Sequence, residues 1–344
     1  MFEESEHRQF GDFVLQELLV QRKSMELYRA TQQSLKRFVQ FKIFFLDGIF
    51  EQPEQLVQEF QTYIGSVLGL EHMHLQPIFG YGVIDDRHVY IVGRFMSGSL
   101  NGLLSTGALP LKRALEMALQ IVMAVSYIHA QGFIHSSLSP RNVYLDESGN
   151  AYIDDLELSL IVQKATSLNE RKSLLDEPYY TSAEQLQLGQ VHFRSEIYSV
   201  GAILYHMVIG SPPFYDGEDT FETVLQRKLS NQVVPPRHLN PDLPASLEAT
   251  ILQTLRADPE ERCSTMALLK AALQQELSVL DTDKPPAADA VRSFLSRFAP
   301  LRAKRFHFAK ARQTSIFTVR LGVQRIGQQR NSAHEESSSE KRKT

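Results

Sequence analysis

The chain of 344 residues reads as an α+β protein, a small strand-rich part followed by a larger helical one. Two observations predict this. Up to about residue 96 the apolar residues fall mostly in short runs of strand type, whereas from Leu111 onward they recur at helical spacing. The composition, 43% hydrophobic and 22% charged, is that of a globular chain long enough to bury a sizeable core.

The elements follow in order. Phe13 to Leu19, Glu26 to Thr31 and Phe38 to Phe45 are expected strands, rich in apolar and aromatic residues and separated by polar turns such as Gln32-Gln33-Ser34. Pro53 to Leu70 carries Leu56, Phe60, Tyr63, Ile64, Val67 and Leu68 at helical spacing. Strand character returns at Ile78 to Val83 and His88 to Phe95. The helical pattern then dominates over Leu111 to Ala130, Ser195 to Ile209, Phe221 to Leu229, Leu247 to Arg256 and Ser264 to Leu277. Residues 278–290, with Pro285-Pro286 and small side chains, read as a linker.

Charge divides the chain. Residues 1–290 carry 23 Lys/Arg against 37 Asp/Glu, and 291–333 carry ten Lys/Arg and no acid, so the net charge of −4 conceals an acidic body and a basic tail. Aromatic side chains (Phe294, Phe298, Phe306, Phe308, Phe317) interleave with the tail's cations, a composition suited to nucleic acid or anionic lipid, or to docking back on the acidic body. Residues 334–344 are expected to be disordered. The lone Cys263 excludes an intrachain disulfide, and no apolar run approaches the roughly 20 residues of a membrane span. With no cationic-then-apolar leader at the start, a cytoplasmic location is expected.

The most informative stretch is Phe133-Ile134-His135-Ser136-Ser137-Leu138-Ser139-Pro140-Arg141-Asn142-Val143, followed by Tyr152-Ile153-Asp154-Asp155-Leu156. From about residue 10 to 277 this and other ordered motifs resemble the eukaryotic-like serine/threonine protein kinases, particularly their bacterial members. Val39-Gln40-Phe41-Lys42 resembles the strand bearing the phosphate-binding lysine. His135, Leu138 and Asn142 match the catalytic loop, and Asp155 falls where the magnesium-binding aspartate belongs. Tyr180-Thr181-Ser182-Ala183-Glu184 resembles the Ala-Pro-Glu segment. Glu196-Ile197-Tyr198-Ser199 and Asp258-Pro259-Glu260-Glu261-Arg262 match later landmarks. The resemblance implies a bilobal fold with an N-lobe over about 10–96 and a C-lobe over about 97–277. It also implies a buried ion pair between Glu184 and Arg262.

The departures from that family decide what the fold is expected to do. Ser137 occupies the position of the catalytic base and Ser139 that of the loop lysine. The three glycines of the nucleotide loop fall on Val20, Arg22 and Met25, and side chains there keep backbone amides off the phosphates. The helix carboxylate due to pair with Lys42 falls on Tyr63, with Glu59 one turn away. Gln40 and Tyr144 are expected to crowd the adenine pocket, and Gly93 to reopen part of it. Asp154, Asp155 and Glu157 form an acidic cluster read either as a divalent-ion site or as a solvated loop edge.

No catalytic residue is therefore expected. Lys42, Asn142 and Asp155 are expected to form a vestigial nucleotide site, with Asn142 and Asp155 its metal ligands. His135, Leu156, Glu184, Glu196 and Arg262 are expected to be structural, His135 and Leu156 stacking with Val67. No cofactor is expected, or at most ATP held weakly with magnesium or manganese. The expected function is a pseudokinase acting on protein partners, an active kinase or its substrate among them, as scaffold or allosteric regulator. The alternatives are a serine/threonine kinase with residual activity, and nucleic-acid or anionic-surface binding through 291–333. Ser159, Thr166, Ser167, Ser173, Thr181, Thr314 and Ser315 are candidate phosphorylation sites.

Overall fold

Strand alternation places the N-lobe residues. The computed structural model describes residues 8–22, 24–46, 53–156, 178–217 and 219–282. Strands β1 (Gln9–Phe10), β2 (Phe13–Gln21), β3 (Met25–Gln32), β4 (Arg37–Phe45), β5 (Ile78–Val83) and β6 (His88–Arg94) form one antiparallel sheet in the order β1-β2-β3-β4-β6-β5. In β4 successive side chains go to opposite faces. Val39, Phe41 and Ile43 join an outer apolar cluster with Leu15, Ala30 and Val92, in which Phe41 stacks between Phe10 (5.2 Å) and Tyr90 (4.8 Å). Gln40, Lys42 and Phe44 take the opposite parity, so Lys42 is carried to the inner face.

Helix α1 (Pro53–Val67) buries Leu56, Val57, Phe60, Ile64 and Val67, the stripe that the helical spacing marks. Tyr63, at its border, is half-buried and packs edge-on to Phe133. The helix stops short of Leu70, and Leu68 is largely exposed.

Beyond the first sheet, β7 (Gly98–Ser99), β8 (Val143–Leu145) and β9 (Ala151–Ile153) form a small second sheet, and a short α2 (Leu100–Leu104) follows β7 directly. Helix α3 (Leu111–Ala130) is the centre of the C-lobe. It packs against α5 (Phe193–Ile209), buried over nearly its whole length, and against α9 (Met266–Thr282). The remaining helices are α4 (Ala183–Leu188), α6 (Phe221–Leu229), α7 (Pro236–Leu239) and α8 (Ala245–Thr254). One apolar core runs from Met25 and Leu27 in the N-lobe through α1 and α3 to Leu273 in α9.

One boundary differs from expectation. Helix α9 runs through Thr282, so 278–282 is helical rather than linker, and Lys112 at the start of α3 donates to Asp281 at 2.5 Å. The basic tail, the C-terminal segment, residues 283–290 and Glu157 lie outside the described residues, as do Ser159, Thr166, Ser167, Ser173, Thr314 and Ser315. No helix among the described residues is long and apolar enough to cross a membrane.

Candidate functional site

The site lies where β4 faces the two short strands β8 and β9. The chain leaves β9 through Asp154, whose backbone carbonyl accepts from His135 Nε2 (2.6 Å) and whose N–H donates to the Asn142 carbonyl (2.9 Å). His135 is fully buried, and its Nδ1 is 3.5 Å from the Ser137 hydroxyl. The Asn142 side-chain amide donates to the Ser137 carbonyl (2.7 Å), closing the loop between them.

Two residues of this region have left-handed backbone, Ser136 (φ 69°) and Asp155 (φ 67°), a conformation that costs a non-glycine residue on the order of 1–3 kcal/mol. The surroundings hold both. Ser136 N–H donates to Glu196 Oε1 (2.9 Å), its carbonyl accepts from the Gln185 amide, and the other Glu196 oxygen is 2.5 Å from His129 Nε2. Asp155 N–H donates to Asp154 Oδ1 (2.8 Å). Glu196 thus reaches from the start of α5 to fix the catalytic-like loop.

Lys42 is 1% exposed and its ammonium lies 2.8 Å from Asp154 Oδ1 and 2.5 Å from Asp155 Oδ1. Asp154 and Asp155 are 3% and 1% exposed, so they are not a solvated loop edge: the lysine draws both carboxylates inward. Burial alone raises the Asp155 pKa, but the charge and hydrogen bond of Lys42, with the Arg22 charge, hold it below the usual carboxylate range. Glu59, the alternative helix partner, accepts from Gln55 at 3.1 Å.

Gln40, 2% exposed, donates to Asp154 Oδ2 (2.8 Å). Tyr144 is 6% exposed, and burial, then the Asp155 and Asp154 charges, push its hydroxyl pKa well up. Gly93 pairs with Gln40 across the strands. The space its missing side chain leaves is not open: a Cβ there would meet Gln76 Nε2 and the Pro77 carbonyl at 3.3 Å. The Gln76 amide, held by the Arg94 carbonyl (2.5 Å), fills the gap that the sequence reading left as a cavity. A small hollow of about 10 Å³ adjoins it, lined by Gln76 and Asp154 together with Val67, Leu75, Ile78, Ile153 and Leu156. Val67 and Leu156 thus border one space.

Whether ATP and a divalent ion fit these residues follows from the same contacts. The lysine that the resemblance assigns to the phosphates contacts two carboxylates, and Gln40, which the resemblance sets beside the base, is buried and donates to Asp154. Asp155 Oδ2 is, among the described residues, a buried carboxylate oxygen without a hydrogen-bond partner, and so suits a cation. Asn142 turns its amide to Ser137, and among the described residues no three His, Cys, Asp or Glu side chains are grouped to hold a metal. In this arrangement the nucleotide does not fit.

Away from the cleft, Arg262 spends its guanidinium on Glu184 (two contacts of 2.8 Å) and on the carbonyls of Arg256, Arg194 and Ala257. Burial raises the Glu184 pKa, but the Arg262 bonds and charge, with the Ser195 hydroxyl, bring it below the ordinary value. The sequence reading missed three residues: Asp154 as the partner of Lys42, Gln76, and Lys228. Lys228 is 1% exposed, donates to the carbonyls of Tyr179 (2.8 Å) and Thr181 (2.9 Å), and is driven well below a normal lysine pKa by burial. Thr181 is itself buried. A lysine on an amphipathic helix carries no sequence signal for burial.

Comparison with known proteins bears on the family and the fold. The family model described as a protein kinase domain matches residues 21–274. The serine/threonine-protein kinase PrkC of Bacillus subtilis is 28% identical over 260 residues, 75% of this chain and 39% of its own length. The DNA damage-responsive serine/threonine-protein kinase RqkA of Deinococcus radiodurans is 30% identical over 263 residues, 75% of this chain and 38% of its own. The chain thus spans about two-fifths of the length of these relatives. The kinase domain of PknI from Mycobacterium tuberculosis superposes with a TM-score of 0.61 at 17% identity, over 80% of this chain and 99% of that one, and speaks for the fold alone.

Proposed function

The chain belongs to the protein kinase domain family, and we propose that it is a member that has lost phosphoryl transfer and works as a pseudokinase, a scaffold or allosteric regulator of protein partners. The observation that carries this reading is Ser137. The loop around it keeps its bonds, from His135 to Asp154 and from Asn142 to Ser137, while the side chain at the base position is a hydroxyl. A hydroxyl accepts no proton at neutral pH, and general-base catalysis is commonly worth about 10²- to 10⁴-fold. The engagement of Lys42 with two aspartates supports the same reading, because it leaves the lysine no phosphate-directed bond.

The proposed interaction body is the kinase-like domain of about residues 10–277, with 291–333 as a basic appendage that engages an acidic surface, nucleic acid or anionic lipid. The second reading, an ATP-dependent serine/threonine kinase using magnesium or manganese with residual activity, rests on the names of the relatives and on the presence of Lys42, Asn142 and Asp155. Incorporation of labelled γ-phosphate by the purified chain, with Mg²⁺ or Mn²⁺, separates the two. We expect background only. Robust incorporation that disappears in Lys42→Ala or Asp155→Ala overturns the first reading and establishes the second.

A further inference from the structure

Lys228 is a buried cation away from the cleft. It projects from α6 with 1% of its surface exposed, and no carboxylate among the described residues forms a salt bridge with it. Its ammonium instead meets oxygens: the carbonyls of Tyr179 (2.8 Å) and Thr181 (2.9 Å) and the hydroxyl of Tyr198 on α5. The ring centres of Tyr198 and Phe214 lie 4.3 and 5.2 Å away. We propose that these groups form a cation site that the chain fills from within: the Lys228 ammonium is a tethered ligand that docks residues 178–181 onto the helical body, and with that side chain removed the site takes a small primary ammonium ion. The proposal is independent of whether the chain transfers phosphate.

The chemistry fits an ammonium. A charged lysine has three N–H donors and no acceptor, and three oxygens converge on this one. Burial, and then the charge of Arg262, press its pKa well down, with Glu184 opposing. Hydrogen bonds to the charged form favour that form, and aromatic rings within about 6 Å of a cation add to the effect. The Tyr198 hydroxyl, while accepting from Lys228, donates to the Tyr179 carbonyl (3.3 Å), which closes the ring of contacts. A buried polar group deprived of its partner is costly, so the lysine and the carbonyls it holds depend on each other.

Neighbouring contacts shape the site. Phe214, whose ring lies beside the ammonium, has left-handed backbone (φ 66°), uncommon for an aromatic residue, and its carbonyl accepts from Arg227 (2.7 Å), the residue before Lys228. Arg227 also pairs with Asp216 and Asp219, and Asp219 accepts from the Tyr179 hydroxyl (3.1 Å). The Tyr180 hydroxyl lies 2.6 Å from His206 Nδ1. These side-chain contacts do not pass through Lys228, so replacing it leaves residues 178–181 other anchors and tests the cation alone.

The experiment is deuterium exchange of the amides in residues 179–182, on the purified full chain as wild type, Lys228→Ala and Lys228→Met. Each is measured in n-propylammonium chloride, tetramethylammonium chloride or sodium chloride at one ionic strength. The alanine variant lacks the atoms of n-propylammonium, and tetramethylammonium carries the charge without an N–H. We expect exchange in 179–182 to speed up by about tenfold or more in both variants. n-Propylammonium should slow it again in Lys228→Ala but not in Lys228→Met, whose side chain fills the space, and the other two salts should leave both variants unchanged. The proposal is overturned if 179–182 in Lys228→Met exchanges as slowly as in the wild type, or if n-propylammonium protects Lys228→Ala no better than tetramethylammonium. Should the alanine variant fail to fold in sodium chloride, its refolding yields in the two ammonium salts supply the same comparison, and equal yields overturn the proposal.

Discussion

At the scale of single residues, the partner of a charge decides its chemistry. Lys42, Asn142 and Asp155 were legible from motif spacing alone, and the structure brings Lys42 and Asp155 into contact. The role of Asp154 was not legible, because its bond to Lys42 joins positions 112 residues apart and no local pattern reports such a contact. Gln76 escaped for a similar reason: its amide matters only because Gly93 on the neighbouring strand leaves it room. A further buried group has a pH consequence. His206 Nδ1 lies 2.6 Å from the Tyr180 hydroxyl, and burial lowers its pKa to about 4. An unfolded histidine titrates near 6.5, so between about pH 6.5 and 4 the unfolded chain binds the proton and the folded one does not. Stability present above pH 6.5 is therefore lost as pH falls through this window, by up to about 3 kcal/mol. Asp155 and Glu184, with depressed pKa values, contribute their losses lower still, as pH falls below the ordinary carboxylate range. Urea denaturation of wild type and His206→Gln at pH 7 and 5 checks this. The variant should show the smaller pH dependence, and equal slopes would count against the assignment.

Among elements, long periodic segments were legible and short ones were not. Leu111–Ala130 and Phe221–Leu229 have the bounds that their apolar spacing marks. β1, β7, β8, β9 and α4 were not foreseen, since two to six residues carry too little pattern and owe their form to tertiary partners. The extension of α9 through Thr282 has the same origin, in its contact with α3. Helix α5 shows how closely these elements approach. A Cβ on Gly201 would stand 1.8 Å from Thr254 Oγ1 and 2.5 Å from its Cβ, so glycine lets α5 and α8 touch. Both residues are buried, and Thr254 Oγ1 already donates to the Ile251 carbonyl, so the neighbour cannot simply rotate away. Gly201→Ala is expected to destabilise the chain by about 1–3 kcal/mol through overpacking, despite alanine's better helix propensity. A midpoint of thermal unfolding equal to or above that of the wild type would contradict the close contact.

For the molecule as a whole, the bilobal architecture was legible because sheet and helix periodicities occupy separate stretches of the chain. The joining of the lobes was not, because it is made by side chains: β4 on one side and the Asp154-Asp155 turn after β9 on the other, with a single apolar core passing between. That seam has a consequence for time scales. Where two lobes meet at a loosely held cleft, amides lining it exchange with solvent whenever the lobes part, without the chain unfolding. Here parting them breaks a buried lysine–diaspartate contact and uncovers core, so local opening approaches the free energy of losing the whole fold. The amides of Gln40 to Phe44 should accordingly exchange with deuterium as slowly as those at the centre of α3, and with the same denaturant dependence. Exchange at β4 much faster than in α3, insensitive to denaturant, would instead reveal a cleft that breathes. In an Asp154→Ala chain the β4 amides should be the first to speed up, which turns a contact between three side chains into a clock for interlobe motion.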